Sequence, residues 1–184
     1  GPMRALTRAA DRLIGRCVTH AYADSPSQAR FLVDEGIIPA AKMSVMGQGS
    51  LAGVDLKRFD RARWTEEERR VLRQSLGIAP HSAIILFVGR LTRDKGIHEL
   101  LAAFQVLRDA GTDADLLLVG PIDNERGEGV IHLNGPRIHH VSYTPCPEQY
   151  MAIADVLCLP SYREGFGTVV IEAAAMGLPT VGTR

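Results

Sequence analysis

The sequence predicts an α/β chain whose larger part is a parallel sheet covered by helices on both faces. Three observations carry this. The short apolar runs AIILFVG (83–89) and DLLLVG (115–120) have the unbroken apolarity of strands buried on both sides. Between such runs lie stretches of helical period, as in GIHELLAAFQVLRDAG (96–111). The alternation of strand and helix requires crossover connections, and crossovers make neighbouring strands parallel.

In chain order, ALTRAADRLIGR (5–16) has helical period and CVTHAYAD (17–24) suits a strand. Ser25 and Gln28 form a capping box with Pro26 at the first helical position, opening a helix to about Glu35. KMSVMGQGS (42–50) reads as a short strand and a glycine turn. In the charged stretch 54–80, Thr65 and Glu68 form a second capping box, opening a helix to about Leu76. The helix within 96–111 sets Ile97, Leu100, Leu101, Phe104 and Leu107 on one face and stops at Gly111. After the strand 115–120 come a weaker strand, RIHHVSY (137–143), and a helix, PEQYMAIAD (147–155), with Pro147 in its first turn. A strand VLCLP (156–160), a helix TVVIEAAAMG (168–177) and a strand PTVGT (179–183) complete the pattern. The second half is therefore a doubly wound, Rossmann-like domain, whose ligand belongs at the carboxyl ends of its strands. The first half offers two candidate strands, too few for a sheet with its own core. It reads as the tail of a domain whose beginning is absent.

Bulk composition excludes some classes. Lys+Arg and Asp+Glu both number 21, so no global basic excess favours nucleic acid as a partner. Cys17, Cys146 and Cys158 have neither metal-ligand nor redox spacing, and three reduced thiols fit a reducing, cytoplasmic compartment. No apolar run approaches the ~18–20 residues of a membrane span, and no signal peptide is visible. Gly1-Pro2 before Met3 has the form of a protease-cleavage scar and is set aside.

Two stretches carry chemistry. VGRLTRDKG (88–96) follows a strand, so Gly89, Arg90 and Lys95 lie in a loop at the strand's carboxyl end. Two cations there suit a phosphate or diphosphate, or else form a solvated basic loop. SYREGFGTVVIEAAAMGLP (161–179) sets Glu164 before a Gly165-Phe166-Gly167 turn, then Thr168 and a helix bearing Glu172. The freed N–H groups of the turn and the helix dipole make an anion site. A helix rises ~1.5 Å per residue, placing Glu172 roughly 8 Å beyond the turn. Distance alone thus admits a glycosidase-like carboxylate pair, which stands ~5–9.5 Å apart. Electrostatics opposes it, because the helix start and Arg163 favour an ionised Glu164 and a glycosidase acid must stay protonated. An ionised carboxylate accepts, and paired sugar hydroxyls are natural donors to it. For Glu172 the alternatives are a ligand grip and a solvent-facing helix residue. Both carboxylates are expected to be ionised at neutral pH.

Other constellations are weaker. His139 and His140 are adjacent on a strand and point to opposite faces, and His20, His81, His98 and His132 are scattered, so no metal site is expected. Cys158 suits the core rather than a nucleophile. Arg4, Arg8, Arg12 and Arg16 recur every four residues, opposite Leu6, Leu13 and Ile14. That basic stripe is either a solvated face or a contact with an anionic membrane surface.

Together, VGRLTRDKGIHELLAAF, LLLVG and ADVLCLPSYREGFGTVVIEAAAMGLPTVGT resemble the group 1 (family 4) retaining glycosyltransferases of the GT-B fold. The stretch GQGSLAGVDLKRF (47–59) resembles the junction after their N-terminal domain, and the chain is most similar to sugar transferases of capsular and exopolysaccharide assembly. The resemblance implies an excised piece. Residues 3–53 would end the acceptor domain, 54–80 would link the domains through a short helix, and 81–184 would be a truncated nucleotide-sugar domain. It further implies that Arg90 and Lys95 hold the donor diphosphate beside Gly89, and that Glu164 contacts the transferred sugar. Gly165, Phe166, Gly167 and Thr168 would line sugar and phosphate, and Glu172 would take the ribose. Val141, Ser142, Tyr143 and Thr144 would lie near the base. The donor would be a nucleotide sugar, UDP-linked, and the acceptor a glycan or polyprenol-linked sugar, with no cofactor and no metal. The expected compartment is the cytoplasm, and the basic stripe leaves open a contact with the inner face of the plasma membrane. Glu164, Arg90 and Lys95 would be its catalytic residues, through charge and positioning. The alternatives are a nucleotide-sugar-binding module without turnover and a UDP-sugar 2-epimerase of the same fold.

Overall fold

The computed structural model describes residues 2–47, 49, 53–122, 133, 135–162, 164 and 166–183. They divide into two compact units, Gly1–Gly53 and Val54–Arg184.

The first unit runs α1 (Pro2–Cys17), β1 (Ala21–Ala23), α2 (Pro26–Asp34), a 3-10 turn (Ala40–Lys42) and β2 (Met43–Val45). β1 and β2 pair in parallel, Ala21 opposite Met43. Ser25 caps α2 by accepting from Gln28 N at 3.1 Å, while the Gln28 side chain accepts from Asp24 N rather than from the cap residue. This is the expected box with one half displaced by a residue. The unit buries little: Ala23 and Ile37 are its described core side chains, whereas Met3, Leu6, Leu13 and Ile14 are exposed. The orientation of α1 was not expected. Arg8 pairs with Glu35 at 3.1 Å, and Arg12 donates to the Glu35 carbonyl at 3.1 Å. Both guanidiniums turn toward the carbonyl end of α2, where the helix dipole favours cations. The apolar side of α1 faces outward instead.

The second unit runs α3 (Glu66–Ser75), β3 (Ala83–Val88), α4 (Ile97–Asp109), β4 (Ala114–Val119), β5 (Ile138–Val141), α5 (Glu148–Ile153), β6 (Val156–Leu159), α6 (Thr168–Ala175) and β7 (Thr180–Gly182). Its five described strands are all parallel, in the order β5-β4-β3-β6-β7. Alternation along each strand divides the core between two faces. Ile84, Leu86, Leu117, Val119 and Leu157 meet Met151, Ile153, Ala173 and Met176 on one side. Phe87, Leu116, Leu118 and Leu159 meet Ile97, Leu100 and Phe104 of α4 on the other. Burial on both faces explains the unbroken apolar runs.

The stretch 54–80 belongs to this unit. Phe59 and Ile78 are buried in the first cluster, with Trp64 and Leu72 packed against it. Both halves of the Thr65–Glu68 box are formed, at 2.8 and 3.2 Å. Arg73 of α3 donates to the carbonyls of Ile153, Ala79 and Ser82. The helix expected over 147–155 stops at Ile153, because Asp155 turns to β3: its N–H donates to Ile84 O and its carboxylate accepts from Ile84 N at 2.8 Å. Among the described residues no helix is long and apolar enough to cross a membrane.

Candidate functional site

β3 connects through α4 to β4 on one side, while β6 lies against its other side. The order therefore reverses at the β3–β6 junction, and in such sheets the crevice outside those strands' carboxyl ends receives the ligand. Two loops form it, 89–96 after β3 and 160–167 after β6.

The first loop is fastened to the end of β4. Gly89 N donates to Val119 O and Leu91 N to Pro121 O, both at 2.9 Å, and the Leu91 side chain is buried. Arg90 stands between these anchors, exposed. Thr92 Oγ1 donates to the Asp94 carboxylate and holds it below the usual range, with Lys95 and Arg90 adding a smaller pull. A 3-10 turn (Arg93–Lys95) then ends at Gly96, whose φ is 70°.

The second loop lies directly on the first. A methyl group built on Gly96 would sit 2.1 Å from the Pro160 carbonyl oxygen, so only glycine permits the approach. Tyr162 N donates to Asp94 O at 2.9 Å. Glu164 follows, and its Oε1 accepts from Lys95 Nζ and from Ser161 Oγ, each at 2.7 Å. The structure thus joins the two sequence motifs in one ion pair. Phe166 is half-buried, Gly167 caps α6 with a φ of 69°, and Thr168 is the exposed first residue of that helix. Gly165 and Arg163 lie outside the described residues.

Glu172 is half-buried on α6. Burial pushes its carboxyl above the usual range, nearby Arg58 pulls it back, and Glu148 pushes it up again. The balance runs upward. Arg58 itself binds Glu148 at 2.8 Å and donates to the Pro145 carbonyl. Glu148 is 6% exposed, so this pair fixes residues 55–60 against the start of α5. Nothing local in the sequence linked Arg58 to Glu172. Ser161 and Asp94 were also missed, although both flank residues that were singled out.

At the end of β5, Val141 O accepts from Gly120 N at 2.9 Å. Beyond it Ser142 and Tyr143 are exposed, Tyr143 at 76%, and Thr144 Oγ1 accepts from Cys146 N. These four residues are on the rim of the sheet where the site loops emerge.

The opposite end of the sheet is built differently. Buried Asp115 binds Ser82 Oγ and His139 Nε2, with Arg137 at 3.7 Å. Serine and histidine both face the carboxylate, not each other, so no nucleophile–base pair exists there. His140 points away to Gly120 O at 2.8 Å. The described residues contain no cluster able to hold a metal ion. A cavity of about 890 Å³ at this end is lined by Arg61, Arg69, Arg70, Arg73, His81 and Asp155 among others. Its size does not make it the site. Arg69 and Arg70 are paired with Glu66 and Glu67, and Arg73 is spent on carbonyls.

A switch-point crevice in a Rossmann-like domain, with two cations on one loop and a carboxylate on the other, is the arrangement the second unit presents. The family profile "Glycosyl transferases group 1" matches residues 68–184, and the chain belongs to that family. It is 28% identical over 174 residues to the capsular polysaccharide biosynthesis glycosyltransferase CapM of Staphylococcus aureus, covering 91% of this chain and 44% of that protein. It is 32% identical over 177 residues to a D-inositol 3-phosphate glycosyltransferase of Corynebacterium diphtheriae, covering 88% of this chain and 39% of that one. The chain thus spans less than half the length of these relatives. Its fold matches that of Anabaena HepE, solved in complex with UDP and glucose, with a TM-score of 0.76 at 23% identity over 95% of this chain and 47% of that one.

Proposed function

We propose that the parent protein is a retaining glycosyltransferase, moving a hexosyl-type group from a UDP-sugar to a glycan or polyprenol-linked acceptor in cell-surface polysaccharide assembly. This chain is its donor-binding portion and does not turn over alone. The observation that carries the proposal is the Lys95–Glu164 contact at 2.7 Å, which joins the two loops of the switch point.

In this reading Arg90 and Lys95 hold the diphosphate beside the backbone of Gly89. An ammonium has three donors, so Lys95 serves a phosphate oxygen and Glu164 together. Glu164 accepts from hydroxyls of the transferred sugar, close to the charge that develops on the leaving diphosphate. Phe166, Gly167 and Thr168, with Gly165, line the sugar and phosphate, Glu172 takes the ribose diol, and residues 141–144 border the base. Charge on the departing phosphate is met by fixed cations, so the reaction as proposed uses neither a metal nor an enzyme nucleophile. The parent would work in the cytoplasm at the inner face of the plasma membrane. Contact there through Arg4, Arg8, Arg12 and Arg16 would compete with the hold of Glu35 on Arg8 and Arg12.

Calorimetric titration with UDP, GDP and ADP tests the site. UDP is expected to bind, and Arg90→Ala or Glu172→Ala to weaken it about 10- to 150-fold, the equivalent of a charged hydrogen bond of ~1.5–3 kcal/mol. If no nucleotide binds and neither variant differs, the donor-site reading fails. Clear transfer by this chain alone would overturn the claim that it lacks turnover.

A further inference from the structure

Tyr162 has no place in the donor site just described, yet it makes two contacts across the crevice. Its N–H donates to Asp94 O at 2.9 Å. Its hydroxyl donates to Glu99 Oε1 at 2.7 Å, on the first turn of α4. The residue is 67% exposed, so its ring is not held by packing. The partners also mark each other electrically: the hydroxyl holds Glu99 below the usual carboxylate range, and the carboxylate pushes the phenol up.

The place of this contact gives it meaning. Before it in the chain, Pro160 is fixed against Gly96. After it comes Glu164, whose Oε1 meets Lys95 at 2.7 Å. Hydrogen bonds of this kind span ~2.7–3.2 Å, so a shift of about 1 Å in the loop breaks this one. Tyr162 ties the loop to the helix that begins immediately after the Lys95 turn. The Glu164 side of the crevice and the Lys95 side are thereby held to a common support.

We infer that Tyr162 and Glu99 are positioning residues that set the height of Glu164 over the diphosphate loop, and so determine affinity for the sugar half of the donor rather than for its nucleotide. The inference rests on the donor-site reading above, in which Glu164 contacts the transferred sugar.

The test compares UDP with UDP-glucose, UDP-galactose and UDP-N-acetylglucosamine by calorimetry on the 184-residue chain. Tyr162→Phe removes only the hydroxyl, and Glu99→Ala removes its acceptor. Each is expected to weaken the preferred UDP-sugar about 2- to 10-fold, the equivalent of one ordinary hydrogen bond, while leaving UDP unchanged. Glu99→Gln keeps an acceptor and should restore most of the preference. The double variant should be no worse than the poorer single one, because both remove the same contact. Equal weakening of UDP and UDP-sugar would reduce the contact to general support and overturn the inference, as would an unchanged preference in Tyr162→Phe. Failure of the underlying reading looks different: either the unmodified chain binds no UDP-sugar more tightly than UDP, or Glu164→Gln keeps the full preference.

Discussion

Replacing Gly96 with alanine should separate the two loops of the site, and the cost follows from the structure. Two effects add. At a φ of 70° an L-residue is disfavoured by ~1–2 kcal/mol. The new methyl would also lie 2.1 Å from the Pro160 carbonyl oxygen, where contacts below 3.0 Å essentially never occur. Both atoms concerned are main chain or fixed to it, so the strands of loop must part by roughly 1 Å, a displacement of the kind that costs ~1–3 kcal/mol. Gly111 isolates the first effect, since its φ is 80° and a methyl there meets nothing within 4 Å. Urea unfolding should therefore give a loss of about 1–2 kcal/mol for Gly111→Ala and about 2–5 kcal/mol for Gly96→Ala. For a chain of this size 1 kcal/mol corresponds to ~2–4 °C in Tm. Donor titration separates them further. Lys95 precedes Gly96 and Glu164 follows Pro160, so only Gly96→Ala should weaken UDP-sugar binding. Equal losses of stability in the two variants, or unaltered donor binding in Gly96→Ala, would refute the claim that this close approach sets the site.

Lys95→Met keeps the aliphatic stem and removes the charge; UDP affinity should fall about tenfold or more, with a shallower dependence on salt. Arg58→Ala leaves the Glu148 carboxylate, 6% exposed, without its guanidinium, and should cost ~1–3 kcal/mol in urea unfolding. It also removes the pull that keeps the Glu172 carboxyl down, so the pH below which nucleotide binding falls off should move upward. For Glu172 the folded carboxyl lies above the usual 4.5, so the fold binds more protons than the unfolded chain. Its contribution is complete below the unfolded value and is lost as pH rises through the folded one. Glu172→Gln should hence stabilise the chain at pH 7 in thermal unfolding while weakening UDP in titration.

What the sequence revealed follows from the range of the forces involved. β3 and β4 were legible because burial on both faces leaves unbroken apolar runs, and α3 because its capping box lies within four residues. The end of α5 was not, since Asp155 is drawn off by Ile84, a partner distant in sequence. The arginine period of α1 was visible, but its facing was set by Glu35 at the end of α2. At the site, Lys95 and Glu164 were each singled out from their motifs, yet their contact depends on Gly96 lying against Pro160. Arg58 carried no local signal at all, because a charge acting across space leaves no spacing to read.

The two glutamates can now be separated by their surroundings. Glu164 is held by Lys95 and Ser161, and Glu172 is flanked by Arg58 and Glu148. Different neighbours suit grips on different groups, not two ends of one proton transfer. The carboxyl of Glu172 is raised in the free chain, and binding itself decides whether it serves as acceptor or acid. A ribose diol supplies two donors and so favours the acceptor-only, ionised carboxylate. Nucleotide binding must then draw Glu172 downward and release protons at a pH where the free chain holds part of one, by the same linkage that governs stability. An acid poised for transfer would keep its proton. Titration of UDP in buffers of differing ionisation enthalpy measures this directly, and the release should vanish in Glu172→Gln. Binding without proton release in the unmodified chain, at every pH where Glu172 titrates, would refute the ribose grip.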